Sequence, residues 1–123
     1  MITVKSFIGP NIMNIYDDGK VTNFYGQTKF YITETTITDF YRKPLYRFDG
    51  DTIKDFNGKS LYKLAGDDFK DFYGKTLLKF SGNSIKDFYG KTLYETSGSL
   101  NNIYKKVIGT LCMEYGSLED AIK

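Results

Sequence analysis

An interval of 16 residues governs this chain. Ile53, Phe69 and Ile85 open three consecutive units, and Ile37 and Val21 open two earlier ones. A step of 17 residues then reaches Val4, which opens a sixth, degenerate copy. A Phe follows each opening position by three residues: Phe7, Phe24, Phe40, Phe56, Phe72 and Phe88. Repetition at this interval means one supersecondary unit copied along the chain, and no single copy can bury its own apolar face.

Two turn signals fall in every clean unit. Asp55-Phe56-Asn57-Gly58, with its copies Asp71-Phe72-Tyr73-Gly74 and Asp87-Phe88-Tyr89-Gly90, places Asp first and Gly fourth, the preferences of a type I turn. Eight residues away, Gly50-Asp51, Gly66-Asp67 and Gly82-Asn83 match the Gly-first pattern of a two-residue type II′ loop. The chain therefore reads as an antiparallel meander of β-hairpins. At the first turn a two-residue loop would force Tyr73 and Tyr89 into left-handed backbone. A three-residue loop would exchange core and solvent faces between strands. A four-residue loop avoids both and predicts pairing of Asp55 with Ser60, Asp71 with Thr76 and Asp87 with Thr92.

In that register one face carries Ile53, Tyr62 and Leu64 with their equivalents Val21, Phe30, Ile32; Ile37, Tyr46, Phe48; Phe69, Leu78, Phe80; and Val4, Met13, Ile15. That face is the expected core. An isolated hairpin is marginal in water, so the units must pack on one another or close around an axis. Beyond Gly98 the period changes. Leu100, Ile103, Tyr104, Val107, Ile108, Leu111, Cys112 and Tyr115 have the spacing of an amphipathic helix. Ser99 is placed to cap its start and Gly116 its end. Ser117-Leu118-Glu119-Asp120 resembles a capping box that opens a last short helical turn. The helix is expected to cover an apolar surface of the repeats and shield an open sheet edge.

The expected fold is thus mainly β: 16-residue hairpin repeats arranged around an axis, with a C-terminal amphipathic helix. One domain spans 1–123, with six repeats over 4–98 and the helix and its tail over 99–123. Aromatic residues form 17% of the chain, enough to fill a thin core. The run from Arg42 to Lys59, with its Asn57-Gly58-Lys59 and Asp49-Gly50-Asp51 turns, resembles the repeats of the bacterial 4-fold β-flower proteins. The resemblance covers about residues 20 to 98 and implies hairpin petals around a pseudo-fourfold axis. It implies no activity.

No His is present, and the one cysteine, Cys112, has no partner for a disulfide, so neither a Cys/His zinc site nor a His-based triad can be built. With a net charge of +2 the chain has no global field to attract nucleic acid or a membrane, and no segment approaches the length of a helical span. A cytoplasmic protein with no cofactor is expected. The column Asp39, Asp55, Asp71 and Asp87 reads as turn caps, not as catalytic carboxylates. The recurring lysines, among them Lys54, Lys70 and Lys86, read as a solvated sheet face, while Cys112 falls in the helix's apolar stripe. Phe56, Phe72, Phe88, Tyr73 and Tyr89 remain as candidate partner-binding residues. The Phe rings are expected to fold back on Leu45, Leu61 and Leu77, and the Tyr pair to be exposed. The leading functional expectation is a non-enzymatic binding or scaffold module acting through protein contact or self-association. The alternative is a small-ligand or carbohydrate-binding module that uses the loop aromatics.

Overall fold

A computed structural model describes all 123 residues of the chain. Twelve antiparallel strands form six hairpins: β1 (Ile2–Ser6) with β2 (Asn11–Ile15), β3 (Lys20–Asn23) with β4 (Thr28–Ile32), and β5 (Thr36–Asp39) with β6 (Pro44–Asp49). The second half repeats them as β7 (Thr52–Asp55) with β8 (Ser60–Ala65), β9 (Asp68–Asp71) with β10 (Thr76–Ser81), and β11 (Ser84–Asp87) with β12 (Thr92–Thr96). Each strand pairs with its sequence neighbours, and β1 pairs with β12 through Val4↔Thr96, Lys5↔Glu95 and Ser6↔Tyr94, so the meander closes into a barrel. The degenerate first copy is what closes it. Six hairpins surround the axis, where the resemblance to β-flower repeats implied four.

The core face is the one the repeat spacing predicts. Val4, Met13, Ile15, Val21, Ile37, Ile53, Phe69 and Ile85 are fully buried, while Tyr46 and Tyr62 are half-buried near one end. The route to this register differs from the expected four-residue loop. Asp55 N–H donates to Lys59 O (2.9 Å) and Gly58 N–H to Asp55 O (3.0 Å), a three-residue loop with Gly58 at φ 89°. Pairing then shifts by one residue between Lys54↔Ser60 and Ile53↔Tyr62, and the same shift recurs in all six hairpins. A β-bulge beside each turn absorbs the extra residue, so the faces do not exchange. Asp55 faces Lys59, not Ser60. At the other end, Gly50, Gly66 and Gly82 adopt φ near 60° ahead of residues with negative φ, as a type II′ loop requires.

The helix α1 (Asn102–Tyr115) occupies the lumen. Lys106 to Cys112 are seven consecutive buried residues, nearly two full turns, so every side of the helix meets protein. Its contacts run around the wall: Gly109 against the Phe69 ring, Lys106 over the Phe48 ring, and Tyr115 beside Phe30. The helix therefore fills the barrel instead of shielding an edge, because closure leaves no edge to shield. Eight strands already make an interior that wall side chains can fill, and diameter grows with strand number, so twelve leave room for an element inside. Asn101, not Ser99, caps the helix by accepting from Tyr104 N–H (2.8 Å), because Ser99 and Leu100 remain outside the first turn. Gly116 at φ 88° ends α1, and Ser117 caps α2 (Leu118–Ala121) through Asp120 N–H (3.1 Å).

Glycine inside a helix costs roughly 1 kcal/mol relative to alanine, and Gly109 is retained where a Cβ would lie 2.5 Å from the Phe69 ring. Gly109→Ala should therefore destabilise the protein by about 1–3 kcal/mol in urea unfolding, despite its better helix propensity. Adding Phe69→Leu should recover part of the loss. An unchanged midpoint for Gly109→Ala would show that the helix does not sit against Phe69.

Candidate functional site

Alternate connections of an up-and-down barrel lie at opposite ends, so the six Phe-bearing loops form one rim. Phe7, Phe24, Phe40, Phe56, Phe72 and Phe88 are 51% to 66% exposed, and none is buried against the expected Leu45, Leu61 or Leu77. The bulge explains the difference: it spends one of Leu45, Leu61 and Leu77 per hairpin at the irregular position, while the tight loop carries the Phe beyond the strand end. The next residue is more exposed still: Tyr25, Tyr41, Tyr73 and Tyr89 reach 83% to 91%. Phe and Tyr of one loop meet edge to face, with ring centroids 5.4–5.6 Å apart in four loops.

These tips are held rigidly from below. Asp71 Oδ1 accepts from Tyr73 N–H and Lys75 N–H (both 2.9 Å), and Asp87 and Asp39 make the same pair of bonds in their loops. Asn23 replaces Asp in the second loop and accepts from Tyr25 and Gln27. The Asp column is thus a set of turn caps, each accepting loop backbone N–H groups through Oδ1. One loop departs from the pattern: Arg42 takes the glycine position at φ 68°, and its guanidinium lies 3.6 Å from the centre of the Tyr31 ring. A cation–π contact offsets part of the left-handed strain.

Beneath the rim, Glu114 at the end of α1 accepts from Tyr46 (3.0 Å) and Tyr62 (2.5 Å), and Glu119 accepts from Tyr94 (2.7 Å). Burial, reinforced by these carboxylates, holds all three phenols above the usual tyrosine range. Burial likewise pushes the Cys112 thiol up to about 11, which leaves it a packed, protonated side chain. These bonds tie the lumen helix to the wall just below the aromatic tips.

Both rims carry acidic and basic side chains. The opposite rim carries Asp17, Asp18, Glu34, Asp49, Asp51 and Asp67, with Lys20, Lys105 and Lys106 among them. On the outer wall, register sets like charges directly opposite: Arg47↔Lys54, Lys63↔Lys70 and Lys79↔Lys86. Such pairs cost stability. At the aromatic rim a lysine closes the loop in four hairpins, Lys43, Lys59, Lys75 and Lys91, and an aspartate opens each of the same loops, Asp39, Asp55, Asp71 and Asp87.

The structure brings together all five residues singled out in the sequence, Phe56, Phe72, Phe88, Tyr73 and Tyr89, and adds Phe7, Phe24, Phe40, Tyr25, Tyr41 and Ile8 to the same rim. The recurrence of Phe in all six copies was the signal for the additional members. No family model, no curated protein and no solved structure matches the chain.

Two sets of variants separate the cap from the tips. Asp71→Ala should cost about 1 kcal/mol, since two backbone donors lose their partner, while Phe56→Ser or Phe72→Ser should shift stability by less than about 0.5 kcal/mol. Equal losses in urea unfolding would make the Phe rings structural. The raised phenols give a pH dependence. Unfolding returns them to about 10, so above that pH the unfolded chain sheds protons first and stability falls until the folded-state values are passed. Denaturation followed between neutral and alkaline pH should show this decline, reduced in Tyr46→Phe/Tyr62→Phe; an equal decline in that variant would assign it to other groups.

Proposed function

We propose that this protein is a non-enzymatic binding and scaffold module whose aromatic rim is its working surface. The observation that carries this reading is the exposure of all six loop Phe side chains at one end of a closed barrel. Large apolar side chains exposed in every copy of a repeat at one end of a protein mark a surface that meets a partner. The turn caps and the plugged lumen support it, since a surface ordered before binding loses little entropy on contact. Six related loops at one end of the barrel repeat one surface around its axis, an arrangement that suits an extended macromolecular partner better than a small molecule. A cytoplasmic setting fits a chain whose single thiol is free and sealed in the core.

A second reading has its own observation. Beside the Phe24–Tyr25 loop opens a groove of about 360 Å³, where these rings meet the amides of Asn11 and Gln27 and the Glu119 carboxylate. Aromatic faces next to amide and carboxylate groups form a combination suited to a sugar or another small polar ligand.

Backbone-amide NMR against a panel of glycans, peptides and vesicles tests both. Binding should perturb signals confined to the six rim loops and should disappear in Phe56→Ser/Phe72→Ser/Phe88→Ser. Shifts confined to residues 10–27 and 119–123, abolished by Phe24→Ala, would favour the groove. Shifts that gather only at the acidic rim would overturn both readings.

A further inference from the structure

We infer that one side of the barrel wall binds single-stranded nucleic acid, holding its phosphates on a belt of six basic side chains and offering its nucleobases the neighbouring rim rings. The belt stands on its own observations. The stacking part rests on the rim being a working surface, as proposed above.

The fold supplies its own comparison. At each of the six junctions between hairpins, register sets one pair of outward side chains directly opposite. Three successive junctions are basic on both sides: Arg47↔Lys54, Lys63↔Lys70 and Lys79↔Lys86. The equivalent pairs at the other three are Lys5↔Glu95, Asn14↔Thr22 and Tyr31↔Thr38. The barrel thus closes without like charges at these positions, and where they occur they oppose folding. Among the six basic side chains only Lys54 makes an ion pair, with Asp49 at 3.2 Å. Of the carboxylates on these strands, Asp55, Asp71 and Asp87 lie in the core-side register and cap the loops. That leaves Asp49 and Asp68 on the outer face, against six basic groups.

Shape then selects the polyanion. The belt runs from β6 to β11, five of the twelve inter-strand steps, so it curves nearly half way round the barrel. At about 4.8 Å per step its arc is about 24 Å long. A flat bilayer touches a convex wall along one narrow strip, and duplex DNA is too stiff to follow so short an arc. A flexible polyanion reaches every junction. Acidic peptide and single-stranded nucleic acid both qualify, and the rings decide between them. Phe56, Phe72 and Phe88 stand two residues beyond Lys54, Lys70 and Lys86 and are 52% to 66% exposed, with Tyr73 and Tyr89 next to the last two. Basic groups along a backbone, beside rings that accept any nucleobase, are how single strands are held. The rim loops add rings without net charge, since Asp55, Asp71 and Asp87 offset Lys59, Lys75 and Lys91. Acidic α2 packs on β2, on the far side of the barrel. A net charge of +2 led to the expectation of no nucleic-acid partner; the distribution of charge over the wall reverses it.

Fluorescence anisotropy of a labelled oligouridine with the full chain tests this. Binding should weaken with salt along a log–log slope of about −4, from six contacts at about 0.7 each. Lys63→Gln/Lys70→Gln/Lys79→Gln/Lys86→Gln should flatten the slope by about 3 and weaken binding at low salt on the order of a hundredfold. Its urea midpoint should equal or exceed that of the parent chain, because the facing like charges are gone, so lost binding would not be lost fold. Phe56→Ser/Phe72→Ser/Phe88→Ser should weaken binding about tenfold with the slope unchanged. No salt-sensitive binding of oligouridine or oligothymidine, with rim shifts still produced by a peptide or glycan, would overturn the nucleic acid and leave the binding rim standing. Equal affinity for poly-glutamate or for phosphatidylserine vesicles would overturn it in favour of an acidic peptide or a bilayer. Binding undiminished in the lysine variant would overturn the belt. Binding lost in the lysine variant but unchanged in the Phe variant would overturn the rim's share alone.

Discussion

The helix in the lumen is what the rest of the structure depends on. A barrel of twelve short strands encloses more space than inward side chains can fill, and an unfilled apolar lumen would forfeit both burial and dispersion contacts. α1 supplies the missing interior. Its buried stretch from Lys106 to Cys112 turns the inward faces of six separate hairpins into one continuous core. The fit is close enough to require Gly109 opposite Phe69, and the one buried lysine reaches out to the Gly50 carbonyl at 2.8 Å while its stem stays in the core.

With the core settled on the axis, the two ends are free to differ. One end is built from tight turns that carry acidic side chains, and the helix begins there. The other is built from three-residue loops that hold aromatic rings out in solvent. Ties from Glu114 to Tyr46 and Tyr62, and from Glu119 to Tyr94, lock the helix end beneath those loops. Neither the exposed Phe ring nor the like-charged pairs on the wall help the fold. Features retained at a cost to solubility or stability are where function is sought, and here they lie at one end and along one side.

The fold was legible to a large extent because its signals are local and repeated. Alternation along Ile53, Tyr62 and Leu64 and their copies gave the core face, and Gly50-Asp51 gave its turn type. The loop around Asn57-Gly58 was harder to read. Facing in a sheet depends only on the sum of turn length and bulge, so a four-residue loop and a three-residue loop with a bulge leave the same side chains inside. The core face was therefore right although the loop was not. The fate of Phe56 and its copies turned on that local difference. The start of α1 shifted from Ser99 to Asn101 for a similar reason: both can cap, and the chain's path out of β12 selects one.

By itself, the sequence determined the hairpin unit, its number of copies, the residues turned inward and the helix that follows, all of which depend on interactions within a few residues. Only the tertiary structure decided that six units close, that the helix is enclosed instead of laid on a surface, and that the Phe side chains stand exposed together. Closure depends on β1 meeting β12 across nearly the whole chain, and no local pattern records that contact. Once it forms, the lumen needs filling and the Phe-bearing loops gather at one end.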